Sequence, residues 1–141
     1  MILTGTDLRI MVDHCVRGLP DESCGILAGR LDRVVKTYCM RNARPGPASY
    51  EMEPEEQFSV MKDIRDSGFE ILGLFHSHPA GQAYPSSVDV EHAYWPGTLF
   101  PNYPDVVYII ISLVNRAKPD IRGFSIHDNS ISEVMLSIID P

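Results

Sequence analysis

The architecture of this chain follows from residues 69–79, which read Phe-Glu-Ile-Leu-Gly-Leu-Phe-His-Ser-His-Pro. Gly68 precedes this short apolar run and Pro79 closes it, a pattern that predicts a buried strand over residues 69–75. The strand runs without a break into His76-Ser77-His78. We therefore expect polar, chemically versatile side chains at the end of a central strand.

The sequence on either side predicts helices and strands in mixed order. The predicted helices run from a Thr6 cap to Gly18, from Pro54 to Gly68 and over residues 86–94. The other predicted strands cover residues 23–30, 33–41, 106–113, 121–127 and 131–139. On the second helix, Phe58, Met61 and Ile64 fall on one face. This order predicts an α/β protein, an α+β sandwich whose central mixed β-sheet is flanked by helices.

Length and composition indicate a single globular domain over residues 1–141. The chain is 44% hydrophobic and 22% charged, and these values argue against a disordered or fibrous protein. Its formal net charge is −7, which disfavours a nucleic-acid binder that works through a broad basic surface. We therefore expect no nucleic-acid partner.

The cysteines and the apolar segments bear on cellular location. Cys15, Cys24 and Cys39 are too few for a disulfide framework, and each lies in an apolar stretch, so we expect buried, reduced thiols. The N-terminus does not resemble a signal peptide, and the longest apolar run, residues 106–114, is too short to span a bilayer. These observations predict a cytoplasmic protein without a membrane partner. They leave the oligomeric state open, a homodimer included.

His76 and His78 lie two residues apart at the end of the predicted strand. Side chains at this spacing point to the same face. The strand advances about 6–7 Å over two residues, a distance that two imidazoles can close over one metal ion. Taken alone, the pair also fits an exposed strand end with two ordinary histidines.

Ser86 and Asp89 follow a loop that contains glycine and proline. A serine with an acid three residues later matches a capping box, so both residues have a structural interpretation. The two interpretations are compatible, because a carboxylate fixed in the first turn of a helix can also complete a His-His-Asp set. Three protein ligands with one open position are typical of a catalytic zinc, which activates water near neutral pH.

Hydrolysis at such a site also requires a base that moves a proton to the leaving group. Glu22 precedes the apolar strand predicted over residues 23–30, so its carboxylate can lie at the rim of the sheet. The same residue, beside Asp21, also fits a solvated loop acid.

Together, Glu22, His76-Ser77-His78-Pro79, Ser86 and Asp89 resemble the JAMM motif of the MPN+ metalloproteases. That motif is a glutamate upstream of His-x-His, then seven residues, then Ser-x-x-Asp, and residues 79–85 supply the seven. The order of predicted elements is also similar to the family over most of the chain. The resemblance implies the JAMM/MPN fold, which is cytidine-deaminase-like.

The resemblance also implies a role for each residue of the motif. His76, His78 and Asp89 would bind one Zn²⁺ per chain, and these ligand types favour zinc over iron or manganese. Glu22 would act as the general base and then protonate the leaving amine. Ser86 would donate a hydrogen bond to the oxyanion. The cysteines need no catalytic role in this chemistry.

The family cleaves amide or isopeptide bonds after the flexible C-terminal tail of ubiquitin or a ubiquitin-like protein, commonly after Gly-Gly. Residues 21–29 and 83–86 resemble the stand-alone prokaryotic members, of the kind that releases cysteine from the C-terminus of a small sulfur-carrier protein. The resemblance therefore implies a small ubiquitin-like or sulfur-carrier protein as substrate, and we favour the release of cysteine.

Three other interpretations remain open. The first is an isopeptidase that removes prokaryotic ubiquitin-like modifiers from lysines. The second is a non-catalytic MPN scaffold, although every ligand position of the motif is filled here. The third is a nucleic-acid-linked protein, because a DNA-repair-associated bacterial branch carries a similar His-x-His-Pro and Ser-x-x-Asp, although the net charge argues against it.

Two further features lie near these residues in the sequence. His92 falls three residues after Asp89, on the same helical face, and we interpret it as a surface or supporting histidine rather than a ligand. Residues 95–104 are rich in aromatic side chains and proline. This loop is interpreted either as a cover over the core or as a wall of a substrate groove or a dimer contact.

Overall fold

The computed structural model describes residues 1–140. Eight strands and three helices are formed in this part of the chain. In order, they are β1 (Ile2–Thr4), α1 (Gly5–Arg17), β2 (Cys24–Arg30), β3 (Arg33–Met40), α2 (Pro54–Asp66), β4 (Glu70–His78), α3 (Ser87–His92), β5 (Val107–Ser112), β6 (Asp120–His127), β7 (Ser130–Val134) and β8 (Ser137–Ile139).

All eight strands belong to one mixed sheet, in the order β7-β6-β5-β4-β2-β3-β1-β8. Strand β2 pairs antiparallel with both β3 and β4, and β4 pairs parallel with β5. The connection from β4 to β5 carries α3. A mixed sheet flanked by helices confirms the predicted fold class.

The sheet is curled, because its two edge strands are consecutive in the chain. Val134 ends β7 and Ser137 begins β8, yet these strands lie at opposite ends of the strand order. Three Cα steps span at most about 11 Å, so the two edges must approach one another. The prediction of one strand over residues 131–139 is therefore wrong: its first half pairs with β6 and its second half with β1.

Helices pack on both faces of the sheet. On one face, Met11 and Cys15 of α1 pack in a cluster with Phe75 of β4. On the other face, Ile64 of α2 packs in a cluster with Leu74 of β4. Alternation along β4 therefore turns His76 and His78 toward the α2 face and Ser77 toward the α1 face.

Helix α1 begins two residues earlier than predicted. Its cap is Thr4, not Thr6: Thr4 Oγ1 accepts a hydrogen bond from the Asp7 amide at 3.1 Å, and Asp7 Oδ2 accepts one from the Thr4 amide at 2.8 Å. The hydroxyl of Thr37, on β3, also donates a hydrogen bond to Asp7 Oδ1 at 3.2 Å, which ties the cap to the sheet. The short strand β1 leads directly into this cap. Three residues are too few to show a strand period, so β1 was not predicted.

Helix α2 begins at Pro54 as predicted, but only its second half packs on the sheet. Ile64 is 3% exposed, whereas Phe58 is 72% and Met61 is 40% exposed. Of the apolar face formed by Phe58, Met61 and Ile64, only Ile64 is therefore buried. Both residues line a cleft beside the histidines instead.

Two of the three cysteines are buried as expected, and Cys39 is exposed. Burial raises the pKa of the Cys15 and Cys24 thiols to about 12, so both are protonated at neutral pH. Cys39 lies on β3, where much of the strand is open to solvent, and for this residue the prediction of burial is wrong. In the described residues no helix is both long and apolar enough to cross a membrane.

The reassigned cap gives a stability prediction. We expect Thr4→Ala to lower the free energy of unfolding by about 1 kcal/mol, because the Asp7 amide loses its acceptor. Thr6→Ala, which removes an exposed hydroxyl in the first turn, should stay within about 0.5 kcal/mol of the parent. Urea denaturation of the two variants measures the difference, and equal stabilities would contradict the assignment of Thr4 as the cap.

Candidate functional site

Three side chains converge on one point at the carboxyl end of β4. The Nε2 atoms of His76 and His78 are 3.1 Å apart, and Asp89 Oδ2 lies 3.1 and 3.0 Å from them, respectively. The side chains of His76, His78 and Asp89 are 3%, 11% and 10% exposed. Among residues 1–140, this is the one group of three histidine, cysteine or acidic side chains with metal-ligand spacing.

Local structure explains why these three residues meet. His76 and His78 share a face of β4, as two-residue alternation requires. Asp89 occupies the first turn of α3 in a capping box: its amide donates to Ser86 Oγ at 3.1 Å, and its Oδ2 accepts from the Ser86 amide at 2.9 Å. The same carboxylate oxygen therefore caps the helix and faces both imidazoles.

The donor set fits a divalent cation such as zinc. Tetrahedral coordination with metal–ligand bonds of about 2.0–2.1 Å places ligand atoms about 3.3 Å apart, close to the spacing found here. His78 Nδ1 lies 2.7 Å from the carbonyl oxygen of Gln82, which keeps a proton on Nδ1, so that Nε2, after losing its own proton, can offer its lone pair to a metal ion. A ring nitrogen held in this way is prepared for a metal ligand.

The charges within the cluster reinforce one another. Burial opposes the charged form of Asp89, but hydrogen bonds from His76 and His78 outweigh it and hold the pKa of this carboxyl well below its ordinary range. Burial also opposes the charged form of His78, but Asp89 and the Gln82 carbonyl raise its pKa above the ordinary value. Asp89 is therefore an anion at neutral pH, and the cluster is suited to a positive charge.

Glu22 is buried beside this cluster. The residue is 3% exposed, and its Oε1 has no hydrogen-bond partner among the described residues. Burial and the negative charge of Asp89 raise the pKa of Glu22 to about 7, against the opposing effect of His78. A carboxyl group with a pKa near neutrality can both accept and return a proton. The expectation that Glu22 lies at the rim of the sheet agrees with its position just before β2.

Ser86 lies at the edge of the same site and is half-buried. Its Oγ accepts a hydrogen bond from the Asp89 amide, which leaves the hydroxyl proton free to be donated elsewhere. The structure therefore brings Ser86 next to the His-His-Asp cluster through the capping box. Its role toward a substrate stays a prediction.

Two further residues of the site, Tyr50 and Ser77, were not predicted from the sequence. The ring of Tyr50 stacks on His76, with centroids 4.9 Å apart and an interplanar angle of 32°. Ser77, between the two histidines, accepts a hydrogen bond from the Ser23 amide at 2.9 Å through Oγ. The buried position of Ser77 follows from strand alternation, but Tyr50 lies in an irregular loop and gives no periodic signal.

A cleft of about 600 Å³ opens beside His76 and Asp89. Its walls are largely apolar and aromatic, and they include Tyr50, Phe58, Met61, Val88, Trp95 and Tyr103. Trp95 and Tyr103 come from the aromatic loop, residues 95–104, which therefore forms part of the cleft wall. A cleft with apolar walls and a polar floor is typical of a ligand or substrate site.

The remaining histidines lie outside the cluster. His92 is exposed and lines the cleft, and it is not among the three convergent ligands. His14 Nε2 lies 3.1 and 3.0 Å from the backbone oxygens of Cys24 and Met40, so it ties α1 to the β2–β3 hairpin. His127 is exposed at the end of β6.

Comparison with known proteins adds the family. Residues 6–127 match the family model described as prokaryotic homologs of the JAB domain. The CysO-cysteine peptidase of Mycobacterium tuberculosis is 30% identical over 99% of this chain and 92% of its own length. The desampylase of Pyrococcus furiosus is 32% identical over 83% of this chain and 76% of its own length.

A solved structure supports the same conclusion. The solved structure of a protein from Desulfitobacterium hafniense has 35% sequence identity to this chain. The match covers 100% of this chain and 94% of that protein's chain, with a TM-score of 0.85. The expected resemblance to the JAMM/MPN+ proteins is thereby confirmed. With a family model that spans residues 6–127 and a peptidase relative aligned over 99% of its length, the chain belongs to the prokaryotic homologs of the JAB domain, a JAMM-type family.

Proposed function

We propose that this protein is a zinc-dependent peptidase. It hydrolyses the amide bond that follows the C-terminal Gly-Gly tail of a small ubiquitin-like or sulfur-carrier protein, and residues 1–141 act as one catalytic domain. One observation carries the proposal: His76, His78 and Asp89 converge to within 3.1 Å beside the buried, unpaired carboxylate oxygen of Glu22. A cytoplasmic location fits the expected intracellular substrate.

His76, His78 and Asp89 would hold the zinc ion. When bound, zinc supplies a Lewis acid and lowers the pKa of water in its open coordination position toward neutrality. Gln82 would keep His78 in the required tautomer, and the capping box would keep Asp89 oriented. These supporting contacts are short in the structure, at 2.7 Å for His78 and 2.9 Å for Asp89.

Glu22 and Ser86 would handle the proton and the developing charge. Glu22 takes a proton from the attacking water and returns it to the nitrogen of the leaving group. Because water attacks the carbonyl carbon directly, no covalent intermediate with the protein is formed. The Ser86 hydroxyl donates to the oxygen of the scissile carbonyl as it becomes negative. Ser86 is free to donate, because in the capping box its oxygen serves only as an acceptor.

The cleft supports a protein tail as substrate. Phe58, Met61 and Trp95 are exposed in its walls, and such side chains suit contact with an apolar face of a small folded protein. A tail of two glycines can approach the cluster closely because it has no side chains to clash. The relatives named as a CysO-cysteine peptidase and a desampylase support a small ubiquitin-like or sulfur-carrier protein as substrate.

Cysteine is the leaving group that we favour. The relative that aligns over 99% of this chain is named a CysO-cysteine peptidase. The desampylase favours the alternative, an isopeptidase that removes a ubiquitin-like modifier from a lysine side chain. A non-catalytic scaffold is less well supported, because all three ligand positions and the glutamate are filled.

The first prediction concerns the metal and the base. We expect about one zinc per chain in the parent protein, and loss of that zinc in Asp89→Asn, which removes the anionic ligand. Glu22→Gln should keep the zinc but lower kcat by roughly 10²–10⁴-fold, because the proton acceptor is lost. Metal analysis and turnover on the same preparations test both. Full activity in Glu22→Gln would contradict the assigned base.

The second prediction concerns Ser86. We expect Ser86→Ala to lower kcat by roughly 10²–10³-fold, the effect of losing one oxyanion donor, with about 1 kcal/mol of stability lost with the cap. Ser87→Ala removes the neighbouring exposed hydroxyl and serves as the matched control, with kcat unchanged. If the two variants turn over equally, Ser86 acts only as a cap.

The third prediction concerns the substrate. A small sulfur-carrier protein that ends in Gly-Gly-Cys is incubated with the enzyme, and its intact mass is followed. We expect the loss of one cysteine residue, blocked by a zinc chelator and by Glu22→Gln. We expect a carrier that ends in Gly-Ala-Cys to be cleaved far more slowly, because the proposed site accepts residues without side chains next to the scissile bond.

The outcomes of this experiment separate the alternatives. Zinc-bound protein that leaves the Gly-Gly-Cys carrier intact but cleaves a lysine-linked modifier would identify the isopeptidase. Zinc-bound protein that cleaves neither would favour the scaffold. Salt-sensitive binding to DNA at micromolar concentration would revive the nucleic-acid interpretation, which the net charge disfavours.

A further inference from the structure

The segment between β3 and α2 folds back on itself as a loop, residues 42–52. Its ends are joined by a bridge between Asn42 and Met52 and by a hydrogen bond from the Ala43 amide to the Glu51 oxygen at 2.7 Å. The Asn42 side chain closes the loop at its base. Its Oδ1 accepts from the amides of Arg44 and Glu51, each at 3.0 Å.

The nitrogen of the Asn42 side-chain carboxamide reaches Glu22. Asn42 Nδ2 donates to the backbone oxygen of Glu22 at 2.9 Å, and the Glu22 amide donates to the backbone oxygen of Gly46 at 2.8 Å. Both backbone polar groups of Glu22 are thus held by the 42–52 loop. The sheet ladder does not hold them, because β2 begins at Cys24.

The side chain of Glu22 has little to fix it on its own. Oε1 is buried and has no hydrogen-bond partner among residues 1–140. The position of the carboxylate therefore depends on the backbone of Glu22, and that backbone depends on the loop. The same loop carries Tyr50, whose ring stacks on His76, so the loop contacts the site on two sides.

We propose that Asn42 is a positioning residue for Glu22. Its carboxamide closes the 42–52 loop with its oxygen and anchors Glu22 with its nitrogen, so that the carboxylate is presented to the cluster in a fixed place. The inference rests on the proposed function, in which Glu22 moves the proton. Only a side chain with both an acceptor and a donor on one short stem can perform the two tasks together.

Two substitutions separate these tasks. Asn42→Asp keeps an acceptor for the Arg44 and Glu51 amides but replaces the donor with an oxygen that repels the Glu22 carbonyl. Asn42→Ala removes both functions. Asn115→Asp is the matched control for the added charge, because Asn115 Oδ1 also accepts from an amide two residues on, at 3.1 Å in an exposed loop.

Kinetics provide the first readout. We expect Asn42→Asp to lower kcat roughly tenfold to a hundredfold, the usual effect of displacing a reacting group by a fraction of an ångström to one ångström. KM and the zinc content should stay within twofold of the parent, since neither the ligands nor the cleft changes. Wild-type kcat in Asn42→Asp would overturn the proposal, because the loop would then suffice without the bond to Glu22.

Amide hydrogen exchange of the metal-free protein provides the second readout, independent of activity. In Asn42→Asp, loss of the bond to the Glu22 carbonyl should loosen this backbone, so that the Glu22 amide, which donates to Gly46, exchanges faster while the Glu51 amide keeps its side-chain acceptor. In Asn42→Ala, both amides should exchange faster. An unchanged Glu22 amide in both variants would overturn the proposal. Full activity in Glu22→Gln would instead overturn the assigned base, and the exchange result would still report whether Asn42 anchors Glu22.

Discussion

The antiparallel pairing of β2 with β4 is the constraint on which the rest of the site depends. Cys24 lies opposite His76 in this register, and Ser23 and Ser77 extend the pairing through a backbone bond of 3.0 Å and the Ser77 hydroxyl. Glu22 therefore lies beside His76 and His78, although these histidines are more than fifty residues away in the sequence. A shift of one residue in this pairing would turn the histidines to the α1 face and separate them from the acid.

Prediction of the fold succeeded where the sequence pattern is local, and it failed where tertiary contacts decide which residues pair or are buried. Periodicity sufficed for the central strands and the mixed sheet, and a proline in the first turn sufficed for the start of α2 at Pro54. It could not divide β7 from β8, because the division depends on pairing partners at opposite edges of a curled sheet. Nor could it show that Phe58 is exposed, since an apolar helical face has the same pattern whether it meets a sheet or a cleft.

The same distinction applies to the site. His76 and His78 share a strand, and Asp89 lies in the first turn of the next helix, so short-range geometry is enough to expect their convergence. Glu22 could be related to them only through the family motif, because its partner strand is distant in sequence. Asn42 and Tyr50 lie in an irregular loop, where neither periodicity nor spacing distinguishes them from solvated residues.

The double use of Asp89 Oδ2 links order in α3 to occupancy of the site. The helix spans only six residues, too short to persist without tertiary support, and its first turn is held by the carboxylate that also faces the histidines. An ion bound there would thus favour the folded helix, and fraying of the helix would weaken the binding of the ion. Because Val88 and His92 of α3 line the cleft, an ion held by Asp89 would also stiffen one wall of that cleft.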